Sequence, residues 1–130
     1  MSTGLMQGKR GLIMGLANDK SIAWGIAQAV AGQGAELAFS YQGEALKKRV
    51  EPLAASLGQP RLYECDVASD ESIDALFAAL KAEWGQIDFL VHAIGFADKN
   101  ELRGRYVDTS RAGFALAMDI SVYSFTAVCQ

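Results

Sequence analysis

The stretch GLIMGLANDKSIAWG, residues 11–25, joins a short apolar run to a segment rich in small residues. The run predicts a β-strand ending at Met14, and Ser21 can cap the helix that follows. Gly15 would let the chain turn tightly off the strand, and Gly25 would let helix and strand approach closely. A helix N-terminus carries roughly half a positive charge, so this turn suits a pyrophosphate. An ordinary strand-to-helix turn is the alternative, because the spacing departs from G-x-G-x-x-G.

Short β-rich runs alternate with longer helical patterns along the whole chain. The runs predict four strands, near residues 9–14, 36–40, 61–65 and 87–92. Between them, apolar residues recur at the helical period. These residues are Ile22, Ile26 and Val30 in the first helix, Leu46, Val50, Leu53 and Leu57 in the second, and Ile73, Leu76, Phe77, Leu80 and Trp84 in the third.

Strands joined by right-handed helical crossovers form a parallel sheet with helices on both faces. The predicted fold class is therefore α/β, a doubly wound parallel sheet of the Rossmann type, of which these residues supply the first four strands and helices. Ligands in such sheets bind beyond the carboxyl ends of the strands. Strand four would form an open edge of this sheet.

Local signals mark the ends of the helices. Gly34 can end the first helix, and Ser69 can cap the third. Pro52 predicts a kink or break in the second.

Composition limits the possible functions. At 130 residues and 51% hydrophobic content, the chain can bury one core, which predicts one domain. A net charge of -3 argues against nucleic acid, and the basic run at residues 47–49 is predicted to be a solvated helix face. Cys65 and Cys129 lack metal-ligand or C-x-x-C spacing, so we expect no metal site or disulfide and two small buried hydrophobes.

The chain shows neither a leader nor a membrane anchor by pattern. Residues 1–11 lack a continuous apolar region after a basic start, which predicts a cytoplasmic protein. The apolar stretch 112–128 is interrupted by Asp119 and is shorter than the ~20 residues of a spanning helix. We predict a helix buried against protein, and no membrane partner.

The spacing Gly15-x5-Ser21-x-Ala23-x-Gly25 resembles the first loop of the bacterial enoyl-acyl-carrier-protein reductases, a divergent branch of the short-chain dehydrogenase/reductase superfamily. Further segments agree with that family in order and spacing, and the resemblance spans nearly the whole chain. They are Ser40-Tyr41-Gln42, Cys65-Asp66-Val67, His92-Ala93-Ile94-Gly95-Phe96-Ala97 and Asp119-Ile120-Ser121.

The resemblance implies a nicotinamide dinucleotide lying along the strand ends. It implies Gly15, Ser21 and Ile22 at the pyrophosphate, with Ala17 in the same loop. At the adenosine end it implies Gln42 beside the ribose and Asp66 and Val67 at the adenine. At the other end it implies Ala93, Ile94 and Gly95 along the nicotinamide ribose, with Ile120 behind it. Gly95, Phe96 and Ala97 would open toward the acyl substrate. Taken alone, Asp66 could equally cap the third helix.

Strand two ends without the Asp or Glu that usually accepts from the 2'-hydroxyl of NAD. Gln42 can make a neutral version of that contact. No Arg immediately follows the strand to meet a 2'-phosphate. These residues predict NADH rather than NADPH.

No catalytic residue is predicted within this chain. His92, the only histidine, is interpreted as a hydrogen-bonded core residue rather than a general base. The resemblance implies a Tyr-x6-Lys pair on a later helix, beyond Gln130. Tyr41 and Lys48 match that spacing but follow strand two on the adenosine side. Residues 1–130 would then be the N-terminal part of a single reductase domain, inactive alone.

The resemblance implies NADH-dependent reduction of the trans-2 double bond of enoyl thioesters on acyl carrier protein, in fatty-acid biosynthesis, by a homotetramer. The apolar face around Phe114, Met118 and Phe125 would lie between subunits or pack in the core. One alternative is another member of the superfamily that acts on a ketone or alcohol. Residues 92–97 and Ile120 argue against this alternative. The other alternative is a nucleotide-binding module without chemistry.

Overall fold

A four-stranded parallel sheet forms the centre of the molecule. The computed structural model describes residues 4–130. The strands are β1 (Arg10–Met14), β2 (Glu36–Tyr41), β3 (Arg61–Glu64) and β4 (Phe89–His92), in the order β3-β2-β1-β4. All three pairings are parallel. The predicted strands are all present, and β4 lies at an edge of the described sheet, as expected.

Helices cover both faces of the sheet. They are α1 (Ile22–Gly32), α2 (Glu44–Ser56), α3 (Asp70–Trp84), α4 (Arg111–Met118) and α5 (Ser124–Cys129), with a π-turn (Asp119–Tyr123) joining the last two and 3-10 turns at Lys99–Leu102 and Tyr106–Asp108. Alternate strand residues point to opposite faces. Leu12 and Met14 thus pack with α3 and Val128, whereas Ile13 packs with α1 and α2. The predicted α/β class with a doubly wound parallel sheet is confirmed.

The predicted ends of two helices are confirmed. Ser69 Oγ accepts a hydrogen bond from Ser72 N at 3.2 Å and caps α3. Gly34, with φ at 98°, follows the last turn of α1, and Ala35 N donates back to Val30 O at 3.0 Å. This is the Schellman arrangement, in which a left-handed residue ends the helix.

The second helix does not break at its proline. Pro52 lies inside α2, which runs continuously from Glu44 to Ser56. Pro52 cannot donate to the carbonyl of Lys48, but both residues are exposed. Water can therefore satisfy that carbonyl, and the interruption predicted at this position costs less than in a buried helix.

The first helix packs through two alanines together with two residues of the predicted stripe, Ile26 and Val30. Ala23 and Ala27 are buried, whereas Ile22 is 80% exposed. Gly25 is also exposed, and a Cβ there would meet no described atom within 4 Å. The close approach of α1 to the sheet thus depends on the two alanines, and the packing role predicted for Gly25 is wrong.

The final helix is less buried than expected. Residues Arg111–Cys129 form 19 helical residues, of which 11% are buried, so the prediction of a helix buried against protein is wrong. By length and composition alone this helix could cross a membrane. Its buried residues face the sheet and α3, since Ser124 hydrogen-bonds to His92 of β4 and Val128 packs in the cluster that holds the buried residues of α3. Cys65 is buried as expected, but Cys129 is exposed.

Trp84 organises the amino-terminal end of the sheet. Its ring is 6% exposed, and Nε1 donates to Glu36 Oε1 at 2.8 Å. The guanidinium groups of Arg10 and Arg61 lie 5.9 and 5.4 Å from the ring centroid. Arg61 also pairs with Glu36 at 3.1 Å. One side chain thus contributes apolar burial, a hydrogen bond and two cation–π contacts.

We expect Trp84→Ala to lower the free energy of unfolding by about 3–5 kcal/mol, since it opens a large cavity. Trp84→Phe should lower it by about 1–2 kcal/mol, because an aromatic ring is kept and Glu36 loses one of its hydrogen-bond donors. Urea denaturation followed by circular dichroism measures both. Equal effects of the two substitutions would contradict the ranking.

Candidate functional site

A crevice of about 360 Å³ opens at the carboxyl ends of the strands. The ends of the four strands and the segments that follow them form its wall, together with one residue of α2 and one of the final helix. The lining residues are Gly15, Leu16, Ala17, Ser40, Tyr41, Gln42, Leu46, Cys65, Val67, Ala93, Ile94, Gly95, Phe96 and Ile120. Segments distant in sequence therefore meet at one site, as the rule for open α/β sheets predicts.

Most of the predicted cofactor residues line this crevice. Eight of eleven do so: Gly15, Ala17, Gln42, Val67, Ala93, Ile94, Gly95 and Ile120. Of the predicted substrate residues, Gly95 and Phe96 line it and Ala97 does not. Ser21, Ile22 and Asp66 are not among the lining residues.

Gly15 brings the exits of two strands together. Its φ is 101°, a conformation that L side chains rarely adopt. A Cβ at Gly15 would lie 2.1 Å from the carbonyl oxygen of Ala93. Only glycine therefore lets the end of β1 pass this close to the end of β4.

The Ser21 side chain hydrogen-bonds to the loop before α1 and not to the helix itself. Its Oγ accepts hydrogen bonds from Ala17 N and Asn18 N, both at 3.1 Å. It makes no cap bond to α1, and the first turn of α1 holds no acidic residue. Ser21 thus holds the predicted N-cap position, but the expected side-chain cap bond is not made, because its oxygen is used by the preceding loop. The helix start therefore keeps a positive partial charge that would favour an anion.

The β2 and β3 exits form the other end of the crevice. Gln42 is exposed at the mouth, with no carboxylate directly after β2. Asp66 Oδ1 accepts from Ala68 N at 2.9 Å, and Asp66 N donates to Ser72 Oγ at 2.8 Å. Asp66 therefore closes a local turn. The alternative that it caps α3 is wrong, since Ser69 does so.

Cys65 is an apolar part of the wall. The residue is 5% exposed. Burial raises the pKa of the Cys65 thiol, a hydrogen bond with Ser72 lowers it, and the neighbouring Asp66 carboxylate raises it further. The thiol is consequently neutral near physiological pH and unsuited to nucleophilic chemistry.

His92 is hydrogen-bonded, as predicted. Its Nε2 lies 2.7 Å from Ser124 Oγ, and its ring meets Phe125 edge-on at 5.4 Å between centroids. Both partners belong to α5. His92 therefore joins β4 to the final helix, and it is absent from the crevice wall.

Sequence reasoning assigned no site role to Leu16, Ser40, Tyr41, Leu46 or Cys65, which also line the crevice. Four of them could have been found from their place directly at a strand exit. Leu46 lies inside α2 and carries no such signal. Residues 4–130 hold no group of three or more His, Cys, Asp or Glu side chains able to bind a metal ion.

The parallel sheet and the crevice at its carboxyl edge define an α/β protein of the Rossmann type, the architecture in which dinucleotides bind at strand ends. Comparison with known families narrows this class. The sequence model of the enoyl-(acyl carrier protein) reductase family matches residues 15–130, and the chain belongs to that family.

Relatives of known structure and sequence agree with this assignment. The chain is 65% identical over 127 residues to the NADH enoyl-[acyl-carrier-protein] reductase 1 of Rhizobium meliloti (strain 1021), covering 98% of the chain and 47% of that relative. The Anaplasma phagocytophilum reductase in complex with NAD superposes with a TM-score of 0.94 at 57% identity, over 98% of this chain and 49% of that one.

A third relative bound the phosphorylated cofactor. The Bacillus cereus reductase with NADP+ and indole naphthyridinone superposes with a TM-score of 0.94 at 46% identity, over 97% of this chain and 50% of that one. The chain thus spans about half the length of the relatives it matches.

Proposed function

We propose that this chain is the dinucleotide-binding part of an NADH-dependent enoyl-acyl-carrier-protein reductase of fatty-acid biosynthesis. The observation that carries the proposal is the meeting of four strand exits in one crevice, beside an uncapped helix start. Isothermal titration of the chain with NADH tests it. Binding at a single site supports the proposal, and failure to bind at millimolar NADH would refute it.

The residues present fit an extended dinucleotide. A Cβ at Gly15 would collide with the Ala93 backbone, so glycine keeps the exits of β1 and β4 together, and a pyrophosphate could approach the backbone of this loop and the start of α1. At one end, Gln42 and Asp66 offer polar groups for an adenosine. At the other, Ile94 and Ile120 offer an apolar wall for a nicotinamide.

NADH, when bound, supplies a hydride. The residues of this chain would orient the nicotinamide and keep water away from it. Ile94, Phe96 and Ile120 provide apolar surface at that end. We place the substrate side at Gly95, Phe96 and Ala97, with an enoyl thioester on acyl carrier protein as the substrate.

The groups that handle protons would lie outside these residues. Among the described lining residues, the titratable side chains are Tyr41, the last residue of β2, and Cys65, which follows β3. We propose that a Tyr and a Lys beyond Gln130 act on the substrate, and that residues 1–130 form the N-terminal part of one reductase domain.

We further propose a homotetramer in the cytoplasm. The side chains of Phe114, Met118 and Phe125 are 50%, 43% and 51% exposed and share the final helix. Exposed aromatic residues clustered on one element are typical of protein interfaces. Contact between subunits is therefore favoured over the alternative of core packing.

Cofactor choice should depend on Gln42. We expect NADH to bind more tightly than NADPH, because no cation immediately follows β2 to meet a 2'-phosphate. Gln42→Ala should weaken NADH binding by about three- to tenfold, the effect of one lost hydrogen bond. Gln42→Arg should shift the preference toward NADPH.

Titration of each variant with both nucleotides gives the affinity ratio. Gln28→Ala is the matched control, since Gln28 is exposed on α1 and outside the crevice. Tighter binding of NADPH by the wild-type chain would contradict the role given to Gln42.

A further inference from the structure

A serine of the π-turn hydrogen-bonds to the backbone of the segment that follows β4. Ser121 Oγ accepts a hydrogen bond from Phe96 N at 2.9 Å and donates to Phe96 O at 3.1 Å. One hydroxyl thus satisfies both polar groups of one residue. The end of the segment 93–96 is fixed to the final helix at this point.

A second serine holds the start of the same segment. Ser124 Oγ donates to Ile120 O and lies 2.7 Å from His92 Nε2. Because the hydroxyl proton of Ser124 is used in the first bond, His92 Nε2 must be the donor in the second. A chain of hydrogen bonds therefore runs from His92 through Ser124 to Ile120.

The π-turn makes the second bond possible. Ser124 N donates to Asp119 O, five residues earlier, where an α-helix would use Ile120 O. The Ile120 carbonyl accepts the Ser124 hydroxyl instead. Single π-turns inside α-helices occur frequently at functional sites.

We propose that Ser121 and Ser124 are positioning residues for the nicotinamide end of the site, an inference that rests on the proposed function. His92 and Phe96 flank residues 93–95, which line the crevice from the exit of β4, and Ile120 lines it from the final helix. The two hydroxyls fix these two parts of the wall relative to each other. A preformed wall lowers the cost of ordering on binding.

This role is confined to one end of the crevice. Neither serine hydrogen-bonds to the adenosine end around Gln42 and Val67. Loss of the Ser121 hydroxyl should therefore weaken NADH, which carries the nicotinamide, and leave ADP, which lacks it, unchanged.

The test compares the affinities of NADH and ADP in one chain. We expect Ser121→Ala to weaken NADH by about three- to tenfold, as for one net hydrogen bond, with ADP unchanged. Ser121→Thr keeps a hydroxyl and should restore the ratio. Ser56→Ala is the matched control, since Ser56 also donates to a backbone carbonyl, at 2.6 Å, but far from the crevice wall.

The ratio separates a positioning role from a structural one. Partial unfolding of a variant would weaken NADH and ADP equally and leave their ratio unchanged. An unchanged ratio in Ser121→Ala, with NADH bound by the wild-type chain, overturns the positioning role alone. Absence of NADH binding by the wild-type chain overturns the proposed function as well.

Discussion

Gly15→Ala is expected to abolish measurable NADH binding and to lower the free energy of unfolding by about 2–4 kcal/mol. The new Cβ would lie 2.1 Å from the carbonyl oxygen and 2.5 Å from the carbonyl carbon of Ala93. Both are backbone atoms and cannot rotate away. The exits of β1 and β4 must therefore separate, which widens the crevice where the pyrophosphate would lie.

Comparison with Gly8→Ala separates the steric clash at Gly15 from the cost of placing alanine at a positive φ. Gly8 also has a positive φ, at 81°, but a Cβ there would meet no described atom within 4 Å. We expect a loss of about 1 kcal/mol in unfolding free energy and unchanged NADH affinity. Urea denaturation and calorimetric titration measure both variants. NADH affinity of Gly15→Ala within twofold of the wild-type value would disprove the argument.

Local chemistry made the strands and several helix ends predictable. Gly34 and Ser69 were identified because a left-handed residue and a side-chain cap act within one turn of their own helix. The strand ends were equally predictable from the sequence, since each follows an apolar run. The rule that ligands bind at those strand ends then identified most of the residues of the candidate site.

Features that depend on loop conformation or on packing between elements were not predictable. Ser21 was expected to cap α1, but its oxygen is taken by the amides of Ala17 and Asn18. Ile22 fits a helical stripe, yet α1 turns Ala23 and Ala27 toward the sheet. The first outcome depends on the conformation of the loop before Ser21 and the second on how α1 meets the sheet, neither of which periodicity records.

The final helix shows the same limit more strongly. Its apolar composition indicated burial, although exposure depends on which elements pack against it. The π-turn at Asp119–Tyr123 has no sequence signature of its own, so the contacts of Ser121 and Ser124 became visible only in the structure.

Residues 1–130 are expected to bind NADH weakly and to reduce no enoyl thioester. Reduction adds a hydride to the β-carbon and a proton to the α-carbon, and negative charge develops on the thioester oxygen between these steps. Removing one donor to such an oxygen typically costs about 10²–10³ in rate. The wall formed by residues 93–96 and Ile120 offers apolar side chains at that point.

The titratable groups of the described wall do not replace such a donor. Tyr41 ends β2 on the side proposed for the adenosine, and burial raises the pKa of the Cys65 thiol, which stays neutral. Loss of NADH absorbance in the presence of a trans-2-enoyl thioester measures turnover, with the full-length Rhizobium meliloti reductase as the positive control. Turnover by the chain alone would place a proton donor inside this crevice, and Tyr41→Phe and Cys65→Ser would then identify it.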